Sequence, residues 1–173
     1  MAEAFASPRW VIAHTCGALG LAAFAWLALR LADLDTSRAA RFTRGASVAG
    51  AALVLPYFGA ESFGLHAIGA RAQSGDLAVL DLVDQARYQP LAISMFGVGL
   101  ILMAISGIAM ARIWSHRPGA SPRWAAWPLG ALLAMFLPQF FLPELGRMLF
   151  GIAYLAAAAL FAISCLRTTT SKR

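Results

Sequence analysis

Charge is scarce in this chain. Only 13% of its 173 residues are Asp, Glu, Lys or Arg, whereas 60% are apolar and the mean hydropathy is +0.70. Soluble domains carry roughly 25% charged residues, and no single water-soluble core of this size absorbs such an apolar excess. Cysteine is equally sparse. Cys16 and Cys165 are the only two, there is no Cys-x-x-Cys, and dithiol redox chemistry has no support. Their positions near opposite ends of two apolar segments put them about 20 Å apart along a bilayer normal, beyond the roughly 7 Å that a disulfide allows. Also missing are a Gly-x-Ser-x-Gly elbow, a His-Glu-x-x-His helix, a phosphate-binding loop and a dinucleotide fingerprint, so the common soluble-enzyme chemistries lack their residues. The polar stretches are all short. They leave no room for a separate soluble catalytic domain, and any chemistry must sit in or at a membrane.

What is present is hydrophobic length. A spanning helix needs roughly 20 mostly apolar residues. Five segments meet that need: 10–31, 46–70, 91–113, 124–142 and 148–166. The last two are separated by Pro143-Glu144-Leu145-Gly146-Arg147, which reads as a tight turn; one uninterrupted helix over both would be about 64 Å long at 1.5 Å per residue, twice a bilayer. The predicted fold is therefore an all-α integral membrane bundle of five crossings in a single membrane domain spanning 1–173. The leader before Trp10 holds one Glu and one Arg and lacks a basic n-region, so no signal cleavage is expected.

The net charge of +6 follows topology. Basic residues stand at the ends of apolar runs, a pattern that argues against nucleic acid as a partner. With five crossings, Arg30, Arg38, Arg41, Arg44, Arg112, Arg117, Arg123, Arg167, Lys172 and Arg173 fall on one face, against Arg9, Arg71, Arg87 and Arg147 on the other. The positive-inside rule then places the N-terminus outside and the C-terminus in the cytoplasm. The Ala- and Arg-rich usage fits a bacterial inner membrane. Trp10, Trp26, Trp114, Trp124 and Trp127 lie near segment ends, as interfacial anchors do. Small-xxx-small pairs such as Cys16/Gly20, Ala46/Gly50, Ala60/Gly64 and Gly107/Ala111 allow close helix packing.

Residues 74–89 form a short amphipathic segment on the outer surface. At 100° per residue Val79, Leu82, Val83 and Ala86 share one arc, and Asp81, Asp84, Gln85 and Tyr88 the opposite one. Ser74 or Asp76 suits its start, and Pro90 opens the third crossing.

Polar groups in hydrocarbon are costly, so their positions carry information. They gather in the outer half: His14 on the first crossing, Tyr57, Glu61, Ser62 and His66 on the second, Gln139 on the fourth, and Glu144 with Arg147 in the following turn. Glu61 is the leading catalytic candidate, as a proton carrier or general acid; the alternative is a hydrogen-bonded structural acid. Tyr57 stands one turn earlier, about 40° away around the helix. Pro56 and Pro138, each just before a polar residue, remove helical hydrogen bonds and suggest a pocket beside two kinks. His14 and His66 lie at matched depths and could ligate a haem axially, although His66 points about 140° from Glu61 on an ideal helix. Glu144 and Arg147, spaced i, i+3, pair or face water.

The reading placed first is an outward-facing pocket around Tyr57, Glu61, His66 and Gln139, with His14, Glu144 and Arg147 as further ligand-binding candidates. It would bind or move an amphiphilic, lipid-like small molecule, with proton transfer at Glu61. A second reading is an accessory subunit of a larger membrane complex or a homo-oligomer. A third is a membrane-embedded enzyme or a b-type haem electron carrier using His14 and His66, with no separate metal site.

Overall fold

The computed structural model describes residues 1–33 and 35–170. Among them the chain is all-helical, without a strand. The helices are α1 (Ala2–Ala6), α2 (Pro8–Ala32), α3 (Arg38–Gly59), α4 (Leu65–Gln73), α5 (Asp81–Arg87), α6 (Pro90–His116), α7 (Trp127–Ala134) and α8 (Glu144–Thr170). A π-helical turn, Ala60–Gly64, joins α3 to α4 without a break, and 3₁₀ turns occupy Leu77–Leu80 and Pro138–Phe141. Lys172 and Arg173, counted above among the cytoplasmic charges, lie outside the described residues.

Among the described residues, four helices are long and apolar enough to cross a membrane: Pro8–Ala32, Arg38–Gln73, Pro90–His116 and Glu144–Thr168. The stretch 124–142, read from composition as a fourth crossing, is not one helix. Its helical part is the eight-residue α7, followed by a turn over 135–137 and the 3₁₀ turn that starts at Pro138. The break has a local cause. Pro138 has no N–H for the Ala134 carbonyl and its ring crowds that carbonyl, and α7 stops at Ala134. The predicted tight turn at 143–147 is also different: Glu144 opens α8, where its carboxylate suits the positive end of the helix dipole.

The chain divides into two compact units, Met1–Phe24 with Gly50–Gly99, and Ala25–Ala49 with Leu100–Arg173. In the second unit Ser106 donates to the Thr43 carbonyl at 3.0 Å between α6 and α3, a cross-helix bond of the kind that ties apolar helices together. Helices α6 and α7 approach closely at Gly107 and Gly130, where a Cβ on Gly130 would sit 2.8 Å from the Gly107 carbonyl oxygen. Trp114 is 2% exposed, packs edge-on against Phe161 at 5.0 Å and donates its indole N–H to the Pro122 carbonyl. It is a core residue and not the interfacial anchor that its position near a segment end implied. Trp26 does stay exposed, with the Arg30 guanidinium 4.6 Å over its ring. Helix α8 leaves Leu145, Met148, Leu149, Ile152, Leu155 and Leu166 exposed, an apolar surface of a kind that monomeric soluble proteins rarely present.

The first unit contains the polar cluster. Its small core joins Phe5, Leu65 and Val83, with Trp10, Ile68 and Leu80 packed around them. Phe5 belongs to α1, an element that the leader-like sequence before Trp10 did not suggest. The amphipathic reading of 74–89 holds at Val83, 2% exposed, but Leu82 on the same predicted arc is 47% exposed. Val83 packs against Phe5 and Leu65, and Leu82, one residue and about 100° away on the same α5, turns off that contact.

Candidate functional site

Glu61 sits inside the π-helical turn and is 8% exposed. Such turns insert one extra residue into a helix and loosen its carbonyl pairing, and they recur at functional sites. Two features follow from it here. The Glu61 carbonyl accepts the indole N–H of Trp10 at 2.6 Å. The Glu61 side chain meets Arg87 at the end of α5: Nε donates to Oε1 and Nη2 to Oε2, both at 2.8 Å. This is the fork-to-fork geometry that makes Arg–carboxylate pairs both strong and directional.

Arg87 was expected only as one of four outer-face cations, and Trp10 only as an interfacial anchor. Together with Phe5 they build the site. The Arg87 guanidinium lies 5.2 Å from the Phe5 ring centroid and 5.7 Å from that of Trp10, within cation–π range. Burial alone would pull the Arg87 guanidinium down, but the hydrogen bonds and negative charge of Glu61 outweigh it and hold the group above its ordinary value. The charge of Arg87 is therefore permanent. An acid buried in an apolar stretch requires such a partner, so a search among Arg9, Arg71, Arg87 and Arg147 was the signal available in the sequence.

His14 comes to the same cluster. Its Nδ1–H donates to the Trp10 carbonyl at 2.9 Å one turn back, which leaves Nε2 turned toward Glu61 Oε2 at 3.7 Å. Tyr57 is also adjacent: its hydroxyl donates, at a long 3.4 Å, to the Arg87 carbonyl, and its ring stacks on Phe96 with centroids 4.3 Å apart.

His66 does not join Glu61. Its Nδ1–H donates to the Phe5 carbonyl at 2.9 Å and so ties α4 to α1. Gly69 completes that joint. A Cβ there would lie 2.6 Å from both the Ala6 nitrogen and the Phe5 Cβ, so only glycine lets α1 settle on α4. Both histidines of the haem-ligand reading thus have Nδ1 on a backbone carbonyl, and the His14 Nε2 is directed at the Glu61 carboxylate. Gln139, Glu144 and Arg147 belong to the second unit. Glu144 and Arg147 are both exposed, and no ion pair joins them among the described residues. Cys16 and Cys165 are free thiols.

Beside the ion pair is a cleft of about 180 Å³, lined by Leu53, Pro56, Tyr57, Ala60, Ala86, Gln89, Leu91, Ala92 and Met95. Tyr57, Ala60 and Ala86 also border a recess of about 10 Å³ whose remaining walls are Glu61, Leu65 and Arg87. The recess has the volume of one water. The cleft thus has an apolar body, with the paired charges set behind one wall. No family model, no curated protein and no solved structure matches this chain.

Proposed function

We propose that this chain is a multi-pass membrane protein that binds a lipid-like small molecule in the apolar cleft beside Glu61 and Arg87. The observation that carries the reading is the adjacency of an open cleft of about 180 Å³ with a mostly apolar lining to a two-point ion pair. An apolar cavity of about 150 Å³ is enough to take a benzene-sized molecule, so the cleft accepts one ring or a short length of acyl chain while the remainder of the ligand stays in the bilayer. In this reading Glu61 is not the proton carrier. Both its oxygens are engaged by Arg87, and the pair serves to hold α5, and with it Ala86, as a fixed wall of the cleft.

Membrane insertion is supported by the four long apolar helices and by the exposed apolar face of α8. We place a fifth crossing at 124–142, as an interrupted segment. Broken helices occur at membrane depth where protein covers the freed backbone, and without this crossing Arg167 would fall on the face opposite to Arg38, Arg41, Arg44, Arg112, Arg117 and Arg123. Five crossings put the N-terminus outside, and with it the cleft on the outer side.

Ala60 and Ala86 are exposed positions on the cleft wall, so a large side chain there fills space without disturbing the core. Protein extracted directly into lipid nanodiscs is expected to retain a small molecule that native mass spectrometry resolves, and Ala60→Phe is expected to lose it. Retention of the same molecule by a folded Ala60→Phe protein would remove the cleft from the function.

A further inference from the structure

Resting on the cleft reading above, we infer that the ligand is uncharged and carries a carbonyl acceptor, in the manner of an ester or ketone lipophile. Two observations lead there. The first concerns charge. Among the described residues that line the cleft and the recess behind it, the ionic groups are Glu61 and Arg87, and each is spent on the other at 2.8 Å. An anionic ligand would have to take Arg87 and strand a carboxylate whose side chain is 10% exposed; a cationic one would take Glu61 and strand the guanidinium. A charged head that did neither would lie unpaired against apolar walls. All three routes incur the desolvation penalty of an uncompensated charge, and an uncharged ligand incurs none of them.

The second observation concerns the hydrogen-bonding groups on the cleft wall. Besides seven side chains without a donor or acceptor of consequence, the wall holds Tyr57 and Gln89. Gln89 Oε1 accepts the Ala92 N–H at 2.6 Å at the start of α6. That bond fixes which end of the amide is nitrogen, and the NH₂ has no protein partner among the described residues. The Tyr57 proton is directed to the Arg87 carbonyl. The donor left for a ligand is therefore the Gln89 amide, and what complements it is an acceptor with no charge, a carbonyl oxygen.

The test uses three probes of equal chain length, methyl octanoate, octyl sulfate and octyltrimethylammonium, titrated into the full-length protein in lipid nanodiscs, with concentrations expressed as mole fraction in the lipid. The chain has six methionines, and Met95 lines the cleft; ¹³C-methyl labelling with Met95→Leu as the assignment control gives a resonance at the site. Methyl octanoate is expected to shift the Met95 methyl saturably at a mole fraction on the order of tenfold or more below either charged probe. Gln89→Leu is expected to weaken that binding by about three- to tenfold, the worth of one neutral hydrogen bond, and Ala86→Phe to abolish it. Saturation by octyl sulfate or octyltrimethylammonium at an equal or lower mole fraction overturns the charge inference and leaves the cleft standing. An unchanged affinity in Gln89→Leu overturns the carbonyl assignment. If none of the three moves Met95, the cleft itself fails as a ligand site, and this inference fails with it.

Discussion

Glu61 and Arg87 stand 26 residues apart in the chain and meet through two bonds of 2.8 Å. Breaking such a pair from one side is costly because the survivor keeps its charge and loses its compensation. Arg87→Ala is expected to lower unfolding stability in detergent by about 2–4 kcal/mol. Arg87→Lys, which retains the charge but not the planar fork, should lose less. The double change Glu61→Leu with Arg87→Leu should be less damaging than Arg87→Ala alone, because no orphan charge remains. Equal losses for the single and the double change would show that the charges contribute nothing as a pair. The sequence exposed half of this site. Glu61 stood out because an acid in an apolar stretch is rare. Arg87 did not, since its position at the end of a mostly polar segment is typical of a solvated cation. Trp10 near a segment end looks like every other headgroup anchor until the direction of its N–H is known. Tyr57 and His14 were recognised as polar neighbours at the right depth, but their hydrogen bonds depend on a turn that composition does not reveal.

At the level of elements, the joint between α1 and α4 controls how Phe5 reaches Arg87. Phe5 is 3% exposed, its carbonyl is held by His66, and Gly69 supplies the space. Gly69→Val is expected to push α1 away, so that hydrogen exchange over residues 2–7 rises to near that of an unstructured peptide while α6 keeps its protection. Unaltered protection of α1 in that variant would mean that the joint yields elsewhere. The long helices were legible, because apolar runs of 20 or more residues admit little else in a chain with so few charges. The interruption at 135–141 was less so. Pro56 and Pro138 look equivalent on paper, yet α3 continues past Pro56 to Gly59 and α7 ends four residues before Pro138. A proline marks a weakened hydrogen bond; whether the helix bends or stops depends on the packing available on each side. Helix α1 was hidden for another reason. Five residues make no periodic signal, and their helix exists by virtue of the surface on which they dock.

For the whole molecule, the proposed orientation rests on where the arginines fall, and the interrupted 124–142 segment decides it. Alkaline phosphatase fused after Leu142 is expected to be active, on the exported side, and the same fusion after Thr170 inactive. Activity at both sites would mean that 143–170 does not cross, and inactivity at Leu142 would mean that 124–142 turns back within the membrane. Five apolar segments and one charge bias lead to the proposed threading, but they do not indicate that the chain folds as two compact units with the polar cluster confined to the first.

The wide turn at Ala60–Gly64 fits one more residue into a single turn than an α-helix does, and so leaves the helix beyond it facing as it would without the extra residue. Were the same five positions wound as regular α-helix at unchanged length, everything from Leu65 to Gln73 would rotate by roughly one residue's step, about 100°. His66 would swing from the Phe5 carbonyl and Gly69 would no longer lie under the amino-terminal helix. The better-wound helix would be the worse-assembled protein, so the facing of α4 toward α1 is set by one irregular turn.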